Sequence, residues 1–200
     1  MNIGILGGAF NPITKAHIGT AKYVLNSKFN IHKILLLPCY KSTTNKTMQT
    51  PQHRLNMCEL AINNCNDVNI QVCDFEIKHK LTGSFIQILK QFYDNVDNNN
   101  AYYFIIGLDN AININKLNDY KIIMNSIPFI IVPRIGYVDN SCDKWYSQYP
   151  HIFIENSYPI IELASSTIVR DILKSNSNQN ILQYLFENVY EYILRNNLYI

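Results

Sequence analysis

Two stretches far apart in the chain carry side chains suited to holding a phosphate chain: GGAFNPITKAH at residues 7–17 and LASSTIVRDILK at residues 163–174. In the first, Gly7 and Gly8 lack a Cβ, so the backbone N–H groups from Gly7 through Ala9 to Phe10 can approach an anion closely. The positive end of a following helix would help to hold it. Thr14 and His17 are three apart and share one face of a first helical turn. The same residues equally suit a plain strand-to-helix turn, in which the glycines supply backbone freedom, Asn11 and Pro12 turn or cap the chain, and His17 is an ordinary helix residue.

In the second stretch, helical spacing puts Ser166, Thr167, Arg170 and Lys174 within about 100° of one another and Ile168, Val169, Ile172 and Leu173 on the other side. The apolar side must pack on a core. The polar side then presents hydroxyls at a helix N-terminus, with the arginine tilting back toward them, which makes a receptor for phosphate groups. A serine-capped amphipathic helix with a solvated arginine accounts for the same residues.

Other chemistries lack their residues. There is no GxxxxGK[ST] phosphate loop, and no Ser-His-Asp set or paired catalytic carboxylates are recognisable. GILGGA only superficially resembles a dinucleotide fingerprint: the second strand ends in Leu37, Pro38, Cys39 and Tyr40 with no carboxylate for a ribose, and Pro12 interrupts the required helix. Five cysteines without a CxxC pair read as reduced thiols of a cytoplasmic protein, and five scattered histidines give no metal-ligand spacing. A net charge of +2 argues against nucleic-acid or membrane-surface binding. No apolar run reaches transmembrane length, and the first strand leaves no room for a targeting peptide.

The elements that must position these residues alternate. The strand candidates are residues 2–6, 33–38, 68–75, 102–107, 128–134, 151–155 and 159–163, and helical patterns span about 14–27, 51–65, 83–96, 115–126 and the region from 165 onward. DNVDNNN at 94–100 reads as a surface loop. Strands apolar on both faces and separated by helix-length connections predict an α/β fold, a Rossmann-like doubly wound parallel sheet with helices on both faces. We expect a single domain over the 200 residues, with the core at about 1–164 and a small C-terminal helical segment at about 165–200. In such a sheet the ligand crevice lies beyond the carboxyl ends of the strands, where strand order reverses, and the first such end is GGAFNPITKAH.

The two stretches together resemble the signature segments of the nucleotidyltransferase superfamily of adenylyl and cytidylyl transferases. The likeness is greatest to nicotinate and nicotinamide mononucleotide adenylyltransferases, with patterns GGxFDPxHxGH and SSTxIR against GGAFNPITKAH and SSTIVR here. HRLNMCELAI at 53–62, FIIGLDN at 104–110 and FIIVPRIGY at 129–137 extend the resemblance from residue 3 to about 173. Asn11 stands for the usual Asp, Thr14 for the first His and Ala16 for a Gly.

The resemblance implies attack of a mononucleotide 5′-phosphate on the α-phosphorus of ATP, giving a dinucleotide and pyrophosphate. Mg²⁺ would be carried with ATP and not held by a dedicated protein site. Two unit charges about 4 Å apart repel by roughly 4 kcal/mol at an effective dielectric of 20, so alignment and charge neutralisation are what catalysis asks for. His17 and Arg170 are the expected catalytic cations, His17 on the α- and β-phosphates. Gly7, Gly8, Ala9, Phe10, Thr14, Ser165, Ser166 and Thr167 complete the ATP site, and Gly107 and Asp109 contact its ribose. Weaker candidates for the mononucleotide are Asn11, Arg54, Thr82, Ser84, Leu117 and Arg134, of which Arg54 and Arg134 suit an ordinary solvated face equally well. Thr82 and Ser84 lie in TGSFI, a divergent copy of the segment lining the family's nicotinate pocket, and Leu117 lies near a tryptophan position. Two alternatives stand: the same transfer to another acceptor such as phosphopantetheine or a phosphocholine-type substrate, and a nucleotide-binding sensor with little turnover. The choice between nicotinate and nicotinamide stays open, with compact length favouring nicotinate.

Overall fold

The computed structural model describes residues 1–41, 47–117, 119–155, 165–175 and 180–199. Its centre is a six-stranded, all-parallel sheet in the order β3-β2-β1-β4-β5-β6. The strands are β1 (Asn2–Gly8), β2 (Lys33–Pro38), β3 (Ile70–Val72), β4 (Ala101–Gly107), β5 (Phe129–Val132) and β6 (Ile152–Phe153). Successive side chains on a strand face opposite ways, so each central strand feeds two cores. Ile5, Leu37, Phe104 and Phe129 enter one; Leu6, Leu36, Ile105 and Ile130 enter the other.

The helices that cover these faces are α1 (Lys15–Leu25), α2 (Pro51–Cys65), α3 (Phe75–Lys78), α4 (Phe85–Tyr93), α5 (Leu108–Ile112), α6 (Tyr120–Ser126), α7 (Ser166–Ser175) and α8 (Glu187–Arg195). No helix among the described residues is long and apolar enough to cross a membrane.

The expected β2 and α2 match the observed bounds, because Pro51 at the first helical position and Thr50 accepting from the His53 N–H mark the α2 start unambiguously. Three expectations are corrected. The strand expected over 68–75 is only Ile70–Val72, and Phe75 opens α3. The helix expected over 115–126 splits into a 3-10 turn, Ile114–Lys116, and α6, because Leu117 is extended and Asp119 adopts φ 61°. Gly7 and Gly8 do not make the turn: β1 runs through both, and the left-handed residue is Phe10, at φ 44°. The strand candidate at 159–163 lies outside the described residues.

The C-terminal helices are integral to the molecule. Leu185, Val189, Ile193 and Leu198 are buried in the same core as α1, α2 and α7. Asn188 Nδ2 donates to the Leu60 carbonyl of α2, and Tyr192 Oη receives the Asn56 amide.

Candidate active site

Strand order reverses between β1 and β4, and a cleft of about 1540 Å³ opens there at the carboxyl ends of β1, β4 and β5. That is above the roughly 300–1,000 Å³ usual for one small-ligand pocket. Its walls include Gly7, Ala9, Phe10, Asn11 and His17, with Gly107 and Arg134 from the β4 and β5 ends and Ser165, Ser166, Thr167 and Arg170 from α7.

The turn after β1 presents N–H groups to this cleft because its carbonyls are held elsewhere. The Gly8 carbonyl accepts the Cys39 N–H at 2.9 Å, and the Ala9 carbonyl accepts Arg54 Nη1 at 2.8 Å. Across a trans peptide the next N–H points opposite its carbonyl, so the Ala9 and Phe10 N–H groups face away from Cys39 and Arg54. Neither N–H has a partner among the described residues. Gly8 packs closely on this turn, where a Cβ would meet the Phe10 ring at a tight 3.3 Å.

Thr14 is the N-cap of α1 and His17 is its third residue. His17 Nδ1 accepts the Thr14 N–H at 3.0 Å and also contacts Thr14 Oγ1 at 2.8 Å, a capping box with histidine in the place of Glu or Gln. With Nδ1 accepting, the ring hydrogen of the neutral form sits on Nε2, and the ring is a donor on the cleft wall. Desolvation, and secondarily the charge of Arg134, lower its pKa to about 4. His17 is therefore a neutral hydrogen-bond donor in the ligand-free protein, a correction to the cation expected from sequence.

α7 docks onto the turn through its own polar face. Ser166 Oγ donates to the Pro12 carbonyl at 2.8 Å, Arg170 Nη1 donates to the Asn11 carbonyl at 2.7 Å, and Arg170 Nη2 donates to Thr167 Oγ1 at 3.0 Å. Ser165 caps the helix by accepting the Ile168 N–H. Val169, Ile172 and Leu173 are buried as their spacing predicts, whereas Ile168, at the edge of the apolar arc, is exposed on the cleft wall.

On the β4 side, Asp109 Oδ2 pairs with Arg134 Nη1 at 2.9 Å, and Oδ1 is buried without a partner among the described residues. A Cβ on Gly107 would collide with that Oδ1, so glycine is what the carboxylate position tolerates. Gly107, Leu108 and Asn110 line the cleft, whereas Asp109, expected to contact the ribose, lies behind that wall and not on it.

Several mononucleotide candidates are placed otherwise than expected. Arg54 is on no solvated face and reaches no cleft. It is fully buried and turned inward, with Nε on the Gln49 carbonyl, Nη1 on Ala9 and Nη2 on Tyr40. Asn11 is 5% exposed and its amide is taken up by the protein: Oδ1 accepts the Gln49 N–H and the Tyr199 hydroxyl, and Nδ2 donates to the Thr47 carbonyl. Thr82, Ser84 and Leu117 are exposed and do not line the cleft, and the Ser84 N–H is tied to Gln87 Oε1 in the α4 cap. Sequence reading missed Tyr199, and also Tyr146 on the far wall, whose hydroxyl donates to Asp139 Oδ2 at 2.7 Å. The Tyr199 contact spans nearly the whole chain, and the Tyr146 contact closes an irregular loop from Asp139, so no helical or strand spacing announces either.

Comparison with known proteins gives a consistent answer. Residues 5–172 match the cytidylyltransferase-like family. The chain is 32% identical to the probable nicotinate-nucleotide adenylyltransferase of Streptococcus pyogenes serotype M1, over 98% of this chain and 88% of that one. Its identity to the corresponding protein of Caldicellulosiruptor saccharolyticus is 30%, over 100% and 99% of the two chains. Among solved structures it resembles Plasmodium falciparum nicotinic acid mononucleotide adenylyltransferase complexed with NaAD, at TM-score 0.83 and 29% identity over 99% and 97% of the chains. The same enzyme complexed with APC gives 0.76 and 28%, over 99% and 96%.

Proposed function

Because the chain belongs to the cytidylyltransferase-like family, we propose that it joins nicotinate mononucleotide to the AMP moiety of ATP, releasing pyrophosphate and forming the dinucleotide of NAD biosynthesis. One observation carries this reading: Ser166 and Arg170 of SSTIVR grip the Pro12 and Asn11 carbonyls, so both phosphate-binding stretches and His17 converge on a single cleft.

The reaction needs no covalent intermediate from the protein. MgATP enters with its α- and β-phosphates against the Ala9 and Phe10 N–H groups and the Nε2–H of His17. Arg170, Thr167 and the α7 N-terminus hold the β- and γ-phosphates, and the charge leaving with pyrophosphate is met by these donors. Asp109 Oδ1, buried beside Gly107 with no partner among the described residues, is the acceptor left for a ribose hydroxyl. Arg134, on the cleft wall at the β5 end, serves the acceptor phosphate. The reduced-thiol composition supports a cytoplasmic location.

A pyrophosphate-release assay over nicotinate mononucleotide, nicotinamide mononucleotide, phosphopantetheine and phosphocholine tests the substrate. The expected outcome is at least a tenfold higher kcat/KM for nicotinate mononucleotide, and faster turnover of phosphopantetheine overturns it. ATP binding with no pyrophosphate from any acceptor marks a sensor instead. Arg170→Ala should raise the KM for ATP more than that for the mononucleotide; equal effects mean that the arginine is misplaced in this scheme.

A further inference from the structure

The geometry points to Tyr199, next to last in the chain, as a positioning residue for the turn that holds the phosphates; this rests on the adenylyltransferase reading. Beyond α8 the chain reverses through Asn197 and Tyr199, both with positive φ, and the Leu198 N–H bonds the Ile193 carbonyl. The reversal sends the Tyr199 ring inward, 8% exposed, where its hydroxyl meets Asn11 Oδ1 at 2.8 Å.

Asn11 is where four segments meet. Its Oδ1 also accepts the Gln49 N–H at 3.0 Å, its Nδ2 donates to Thr47, and its main-chain carbonyl takes Arg170 Nη1. Burial pushes the pKa of the phenol well above its ordinary value, so the hydroxyl stays protonated and a donor. Two donors on Oδ1 fix which end of the amide faces Thr47. A carboxylate would turn an oxygen toward that carbonyl, a physical reason for Asn in place of the family's Asp. Asn11 follows Phe10 directly, so holding it fixes the Phe10–Asn11 peptide and, through the Phe10 backbone, the orientation of the Phe10 N–H one peptide back. In near-attack geometry, displacement by a fraction of an ångström is enough to slow transfer without preventing binding.

The test uses full-length Tyr199→Phe, Asn11→Ala and the double variant, with melting curves alongside kinetics. Tyr199→Phe should lower kcat at least fivefold, leave both KM values within twofold and keep the protein folded at assay temperature. The double variant should be no slower than Asn11→Ala alone, because Asn11→Ala already removes the contact that Tyr199→Phe cuts. An unchanged kcat, a kcat lowered only in proportion to the folded fraction, or fully multiplicative effects overturns the proposal. The amide NMR signals of Ala9 and Phe10, recorded without turnover, should shift in Tyr199→Phe; unmoved signals overturn it too. An unaltered chain inactive toward every acceptor strikes the functional reading alone, since those amide signals still report on the turn.

Discussion

The His17 ring closes the α1 N-terminus through Nδ1, and that same bond commits Nε2–H to the cleft. Helix cap and cleft-facing donor are one arrangement of this ring. Losing it in His17→Ala should cost about 3 kcal/mol of transition-state stabilisation, comparable to one oxyanion-hole donor, read as kcat/KM. Near-normal turnover removes His17 from the mechanism. Its pKa is lowered from 6.5 to about 4, first by desolvation and then by Arg134. The unfolded chain therefore takes up the proton first, so this contribution to stability is complete above pH 6.5 and is lost as pH falls toward 4. Denaturant midpoints of the ligand-free protein should fall over that window, and His17→Gln should flatten the fall. The histidine was legible from its spacing to Thr14; its charge state was not, because desolvation depends on what packs around the ring.

Between the elements, Arg54 of α2 gathers three carbonyls from the ends of β1 and β2 and the segment before α2. The three bonds leave from three different nitrogens of one planar fork, a spread that the single ammonium nitrogen of lysine cannot reproduce, so Arg54→Lys should rescue little of the loss in Arg54→Ala, about 3 kcal/mol or more in urea unfolding. Wild-type stability in either variant contradicts the role. Glu76 lies beside this centre, and burial pushes its carboxyl up to about 7, opposed by the Tyr40 N–H and Arg54. A raised carboxyl contributes stability below its ordinary value that is lost as pH rises through about 7, so Glu76→Gln should gain on the wild type above that pH. Calorimetric melting at pH 6 and 8.5 checks the sign. The bounds of α2 and the apolar stripe of α7 were legible because capping and periodicity are local. The broken helix at 115–126 was not, because one left-handed residue, Asp119, interrupts an otherwise helical pattern.

At the scale of the molecule, the order 3-2-1-4-5-6 makes the β1 and β4 ends neighbours and so builds the cleft from segments a hundred residues apart. The C-terminal helices complete the core beneath it. Ile193 is fully buried there, and Ile193→Ala should cost about 2–5 kcal/mol. Tryptophan fluorescence, reporting on Trp145 beside Phe129 and His151, and far-UV circular dichroism should then shift together, whereas separate transitions would make the C-terminal part an appendage.

The sequence by itself determined the alternation of strands and helices and the parallel doubly wound class, which depend on periodicity, caps and short spacings, properties of neighbouring residues. The pairing of GGAFNPITKAH with SSTIVR came from the resemblance of both to one family's signature segments. Only the tertiary structure decided that Phe10 and not a glycine carries the turn, and that Arg54 faces inward. It alone decided that His17 is neutral and that Tyr199 reaches Asn11 across nearly the whole chain. Each of those depends on which groups from distant segments share a buried volume, and on the hydrogen bonds that burial then obliges them to make.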